Sequence, residues 1–179
     1  MLIHQDFEIS GAGPMVEIFG DRIEFTNPGR PLEEASRLLD LPARSRNERV
    51  AEQMRRLGIC EERGTGIDKV VKAIELWQLP PPDFQVPGEN TRVVLFAPRS
   101  FASMTKAERI RACFQHAQLL WVSNQQMTNE SLRKRFGIDD KNYSMASRVV
   151  RDAIEAGAIK PYDPDNTSNR YARYVPFWA

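Results

Sequence analysis

The stretch TNESLRKRFGIDDKNYSMASRVVRDAIEA (128–156) decides the fold, because it reads as two short helices joined by a turn. In the second of them Met145, Ala146, Val149, Val150 and Ala153 recur at helical spacing and form an apolar face. The other face is polar. Ser144, Ser147, Arg148 and Arg151 stand at i, i+3, i+4 and i+7, and Lys141 lies just upstream. Short hydroxyls allow close approach to a duplex, and a guanidinium reaches a phosphate or clasps a guanine edge. A helix so built suits nucleic-acid recognition, although a solvated surface helix has the same composition, so its neighbours decide between the two.

On the N-terminal side, Thr105 and Glu108 have capping-box spacing ahead of a helix whose stripe is Ile110, Cys113, Phe114, Ala117, Leu120 and Trp121. Thr128 caps the next helix, in which Leu132 and Phe136 face inward, Arg133, Lys134 and Arg135 form a basic cluster, and Gly137 ends the run. His116 borders the first stripe with no second ligand nearby, and reads as a packing or surface residue. On the C-terminal side, segments 158–162 and 170–175 read as strands around a polar tip. Three helices followed by a β-hairpin make a winged helix, whose third helix enters the major groove and whose wing follows the backbone or the minor groove. Asn169 and Arg170 are the wing residues expected to touch DNA, while Asp163 and Asp165 at the tip oppose deep insertion.

The chain of 179 residues, 41% hydrophobic and 27% charged, suits a globular protein of two small domains, divided here as 1–99 and 100–179. Its net charge of +1 conceals an asymmetry: residues from 103 onward carry 12 Lys+Arg against 8 Asp+Glu, net +4, which leaves −3 for the rest. That distribution favours a polyanionic partner for the second half. The two cysteines, Cys60 and Cys113, read as buried thiols, without a disulfide framework or a zinc site. There is no signal-peptide progression and no apolar run near the roughly 18 residues that span a bilayer, so a cytoplasmic setting without membrane contact is expected.

In the first half, Met1 to Phe7 looks like the tail of a helix whose beginning is absent. Segments 15–19 and 22–26 read as a β-hairpin around Gly20-Asp21, a pair suited to a type II′ turn. Asn27-Pro28-Gly29 ends it, and 31–40 can form a short helix. Ser45 and Glu48 have capping-box spacing before the stripe Val50, Ala51, Met54 and Leu57, with Gly58 placed to terminate it. Gly64-Thr65-Gly66 then opens a helix carrying Ile67, Val70, Val71, Ile74 and Trp77. A glycine turn there either exposes backbone amides to a phosphate or makes a tight connection between packed helices. Pro80, Pro81 and Pro82 stop the helix, and 92–96 is a further strand.

The pieces LIHQDF (2–7), EIFGDRIEFTNPG (17–29), RNERVAEQMRRLGICEERGTGI (46–67) and LPPPDF (79–84) closely resemble the C-terminal part of the histidine-kinase-like ATPase domain of bacterial transcriptional regulators. Members of that family usually carry a Schlafen-like AlbA domain ahead of it, and many are labelled helicase-related, or RecG-like. MTKAERIRACF (104–114), MTNESLRKRFGI (127–138), ASRVVRDAIEAG (146–157), IKPYDP (159–164) and the closing YVPFWA (174–179) resemble the same family's C-terminal winged-helix segment.

The resemblance implies an α+β chain: a truncated Bergerat-like two-layer sandwich followed by a winged helix. It places Asn27 to Gly29 in the region of the first glycine box, and Gly64, Thr65 and Gly66 in that of the second. Working ATPases of that fold hold Mg²⁺ and phosphates through an asparagine on an earlier helix, which the chain here does not include. The expected role is therefore that of a DNA-binding regulator module without chemistry of its own and without a resident cofactor, its partner double-stranded DNA. Two alternatives stay open: an ATP-dependent, helicase-related protein that binds ATP with Mg²⁺ at the glycine turn, and a winged helix used for protein contact. No GxxxxGK[ST] loop is present, and 64–69 has the wrong spacing for one. Phe177 and Trp178 are too apolar to hang free and should pack on the domain or on a second subunit, leaving a homodimer open.

Overall fold

The computed structural model describes residues 1–42, 44–60, 66–166, 168 and 171–179. Contacts divide the chain into two compact units, Met1–Lys69 with Pro82–Ala97, and Val70–Pro81 with Pro98–Ala179. Both mix helices with antiparallel sheet, which places the chain in the α+β class.

The first unit is built on a four-stranded antiparallel sheet in the order β1-β2-β4-β3, with β1 Met15–Ile18, β2 Arg22–Pro28, β3 Asp83–Gln85 and β4 Asn90–Phe96. The expected hairpin forms with Ile18 opposite Ile23 and Met15 opposite Thr26. Its turn is not type II′, because Gly20 does not adopt the positive φ that form requires. The strand β3 was hidden by the prolines before it, which sequence reading takes only as a helix stop; it pairs Phe84 with Val93.

Helix α1 spans Glu48–Arg56 and buries Ala51. The capping box expected from Ser45 and Glu48 is absent. Asn47 occupies the cap position, and its amide is committed elsewhere, donating to the carbonyls of Gln5 at 2.7 Å and Leu2 at 2.9 Å. The helix ends as expected at Gly58, φ +67°, with Ile59 N–H reaching the Met54 carbonyl. In place of a helix over 31–40 there is one 3₁₀ turn, Ala35–Arg37.

Gly29, at φ +103°, cannot accept a side chain without strain. A Cβ there would lie 2.8 Å from Asp6 Cβ and 3.2 Å from its backbone nitrogen. Gly29→Ala combines backbone strain with a steric clash and should destabilise the protein by about 2–4 kcal/mol. Urea denaturation read by circular dichroism measures it.

The second unit has α3 Lys106–Val122, α4 Asn129–Phe136, α5 Tyr143–Glu155, and a two-stranded sheet of β5 Ile159–Pro161 with β6 Tyr174–Pro176. Met127 forms one further antiparallel bridge to Tyr174. The C-terminal half of α2, which spans Gly66–Leu76, also belongs to this unit from Val70 onward.

Its core is continuous: Ala112, Cys113 and Ala117 of α3 meet Leu132 and Phe136 of α4 and Ala146, Val149, Val150 and Ala153 of α5. Small residues on α3 and α5 let those two helices approach closely, and the larger Leu132 and Phe136 fill what remains. Phe101 packs edge-on to Phe136 at 4.8 Å, and Phe177 stacks on Phe114 at 5.8 Å, so this aromatic end packs on its own unit. Burial pushes the Cys113 thiol up, consistent with an inert core residue, whereas Cys60 is only half-buried. Met145, expected on the buried face of α5, is 38% exposed.

The capping box of α3 forms as read: Glu108 N–H donates to Thr105 Oγ1 at 3.2 Å, and Thr105 N–H to Glu108 Oε2 at 2.7 Å. Burial raises the Glu108 pKa, but hydrogen bonds from the Thr105 N–H, the Arg99 guanidinium and the Thr105 hydroxyl outweigh it and hold the carboxyl below its usual 4.5. A carboxyl depressed in the folded state stabilises it above the unfolded pKa, and that contribution disappears as pH falls through the folded value. Arg99→Met should therefore lower the melting temperature at pH 6–7, and the gap to the parent should close as pH drops below about 4.5.

Candidate nucleic-acid interface

The polar face of α5 is presented by the elements before it. Helix α4 begins with a reciprocal cap, Thr128 N–H donating to Ser131 Oγ at 3.0 Å and Ser131 N–H to Thr128 Oγ1 at 3.1 Å. It ends at Gly137 in the left-handed conformation, φ +63°, which turns the chain out of the helix. Asp139 then accepts from Lys141 N–H at 2.8 Å and starts the 3₁₀ turn Asp140–Asn142 that leads into α5.

On α5, Ser144, Ser147, Arg148 and Arg151 are all exposed, as is Lys141 before it. Among the described residues neither guanidinium has an ion-pair partner, nor has the Lys141 ammonium. Four other cations of the unit are matched. Lys106 pairs with Asp152 at 3.0 Å, Lys134 with Glu130 at 2.6 Å, Arg99 with Glu108 and Arg133 with Asp140. The face thus carries positive charge that no ion pair among the described residues cancels.

The basic cluster 133–135 is not one exposed group, which corrects that reading. Three consecutive helical residues point 100° apart, so they cannot form one patch. Arg135 is 4% exposed, on the core side. Its Nη2 donates to the Leu79 carbonyl at 2.8 Å and its Nε lies 3.6 Å from Glu75 Oε1. Burial lowers its pKa, opposed by Glu75. Arg133 is half-buried and holds Asn129 and Asp140. Of the three, Lys134 alone is exposed. His116 is likewise internal, with Nδ1 2.9 Å from Glu75 Oε2 and Nε2 3.1 Å from Ser131 Oγ. Asn169, Arg170, Gly64 and Thr65 lie outside the described residues.

Sequence reading missed three features of the face. Tyr143, 63% exposed, opens α5. Glu155, also exposed, continues the row Ser144, Arg148, Arg151 at i+11 and bounds the positive patch. Its place was implicit in the helical period. The third feature is tertiary: Asn129 Nδ2 donates to Ser147 Oγ at 2.9 Å and to the Tyr143 carbonyl at 3.2 Å.

In the first unit, Asn27 and Gly66 line one cavity of about 350 Å³, whose walls include Phe25, Leu38, Phe84 and Val93. Asn27 is 8% exposed; its Nδ2 is 3.4 Å from the Met1 carbonyl and its Oδ1 has no partner among the described residues. The arginines around the cavity are matched, Arg44 by Glu33, Arg46 by Asp6 and Arg30 by Glu89. Gly29 lies next to this region, but its N–H donates to the Glu89 carbonyl at 2.8 Å and is not free for a phosphate. No cluster of His, Cys, Asp or Glu able to hold a metal occurs among the described residues.

Residues 11–95 match the family model described as "Putative ATP-dependent DNA helicase recG C-terminal". The matched segment contains β1, β2 and β3, most of β4, α1, α2 and most of the residues that line the cavity, and stops before α3, α4 and α5. Among solved structures, the chain is similar to the DIP2311 protein from Corynebacterium diphtheriae, at 18% identity and a TM-score of 0.51. The alignment covers 98% of this chain and 37% of that one, so the chain spans little more than a third of the length of that protein. The likeness is one of fold. No curated protein matches the chain. Among the described residues, no helix is long and apolar enough to cross a membrane.

Proposed function

We propose that this chain is a DNA-binding module of a transcriptional regulator, and that it meets duplex DNA through α5. The observation that carries the reading is the unpaired charge, among the described residues, of Arg148, Arg151 and Lys141 on one exposed face, whereas Arg99, Lys106, Arg133 and Lys134 of the same unit each have an acidic partner. Three helices followed by a two-stranded sheet have the order of a winged helix, in which the third helix lies in the major groove. There the two guanidiniums reach phosphates on the groove walls, and the small Ser144 and Ser147 let the helix sit close to base edges. The reading assigns the module a cytoplasmic setting and no chemistry of its own.

Titration of a fluorescent mixed-sequence duplex with the protein tests it. Micromolar or tighter binding that weakens steeply with added salt is the expected result. Binding that is absent at low salt would remove the reading.

The cavity of the first unit supports a second reading, nucleotide binding without hydrolysis. Its apolar walls accept a flat ring, and the buried, unpartnered Asn27 Oδ1 needs an N–H donor such as an exocyclic amine. The helicase-related match over the same residues favours the same ligand class. ATP with Mg²⁺ should then raise the melting temperature, by up to about 2.7 kcal/mol of stabilisation at a hundredfold excess over Kd, with no phosphate released. An unchanged melting temperature would exclude this ligand.

A further inference from the structure

We infer that Ser147 is a specificity-determining residue that can only accept a hydrogen bond from DNA, and that Asn129 is the positioning residue that makes it so. The inference rests on the proposal that α5 lies in the major groove. Its basis is the direction in which each hydrogen bond of one network must run.

The network starts at Arg133, which has only donors. Its Nη1 donates to Asp140 and its Nε donates to Asn129 Oδ1 at 3.0 Å. An arginine facing the amide fixes its orientation: the oxygen must point to Arg133, so Nδ2 points to α5. Nδ2 has two hydrogens and two partners, Ser147 Oγ at 2.9 Å and the Tyr143 carbonyl at 3.2 Å. Ser147 Oγ therefore accepts from Asn129, and its own hydrogen goes to the Tyr143 carbonyl at 3.3 Å. A hydroxyl has one hydrogen and two lone pairs. With the hydrogen and one lone pair engaged, one lone pair remains, on an exposed residue of the face.

A free serine hydroxyl reads bases ambiguously because it can donate or accept. This one is polarised. In the major groove the base groups able to donate to it are the exocyclic amines, N6 of adenine and N4 of cytosine; guanine and thymine present only acceptors at their O6, N7 and O4. The base opposite Ser147 should accordingly be adenine or cytosine, favoured roughly fivefold over guanine or thymine, the scale of a single hydrogen bond.

Selection from a randomised duplex library with the full chain, followed by affinity measurement on the four single-base variants of the selected site, tests the inference. The parent protein should show one position enriched in adenine and cytosine together. Ser147→Ala should lose that enrichment. Asn129→Leu, which keeps the size of the side chain but releases the hydroxyl, should accept all four bases at that position while its affinity for the best site stays within about threefold. A residue that merely braced the fold would act differently: if Asn129→Leu weakens all sequences alike and keeps the preference, the inference is overturned. A parent protein that binds duplex with no such position overturns it while leaving the proposed interface standing. A parent that binds no duplex overturns both.

Discussion

Replacing Arg148 and Arg151 together by alanine should lower affinity for mixed-sequence duplex tenfold or more at moderate salt. It should also flatten the dependence of log Kd on log salt by about 1.8, since each lost phosphate contact removes about 0.9 from the slope. Both side chains are exposed and neither is engaged by a carboxylate among the described residues, so removing them breaks nothing inside the protein. The melting temperature should stay within the range of ordinary surface substitutions, about 0.5 kcal/mol. This combination separates an interface residue from a structural one. Charges already neutralised by neighbours, such as Lys134 beside Glu130, should alter the slope much less when replaced.

The second large effect is on stability. Glu75 is the shared acceptor for two buried groups, His116 at 2.9 Å and Arg135 at 3.6 Å. Glu75→Gln removes the carboxylate that faces the Arg135 guanidinium. Loss of one partner of a buried pair is worth roughly 3 kcal/mol, because the remaining charge is stranded away from water. Arg135→Met in the same background should recover part of that loss, since it removes the stranded charge and fills the space with an apolar chain of similar length. Urea denaturation of the two single variants and the double variant measures the coupling. The salt slope for DNA should be unchanged throughout, which distinguishes Arg135 from Arg148 although both look like surface cations in sequence.

That contrast shows what a single sequence carries. Periodicity was enough for α3, α4 and α5, because each buries a stripe of fixed helical spacing and two of them begin with reciprocal caps. It was also enough for the exposed face of α5, which is what remains once Ala146, Val149, Val150 and Ala153 are turned inward. The cluster 133–135 was misread because adjacency in sequence is not adjacency on a helix. Its middle residue faces solvent, and Arg135 faces Glu75, a partner 60 positions away that no local pattern reveals. Asn129 was missed for a similar reason, since its importance lies in what it touches on the next helix.

In the first unit the hairpin was legible from its turn residues, but β3 was not. Three residues after three prolines carry too little alternation to register, and only pairing with β4 makes them a strand. The Ser45 and Glu48 spacing was a false signal, because Asn47 was required by Leu2 and Gln5. The cavity beside Asn27 was half legible: the motif pointed to Asn27, Gly29 and Gly66, whereas the apolar walls come from residues scattered from Met1 to Val93.

The most direct test of the claim that α5 meets duplex DNA is a map of backbone amide shifts by nuclear magnetic resonance as duplex is added to the labelled protein. The largest perturbations should fall on residues 141–151 and vanish when salt is raised. Perturbations centred on the first unit, with 141–151 unmoved, would contradict the account.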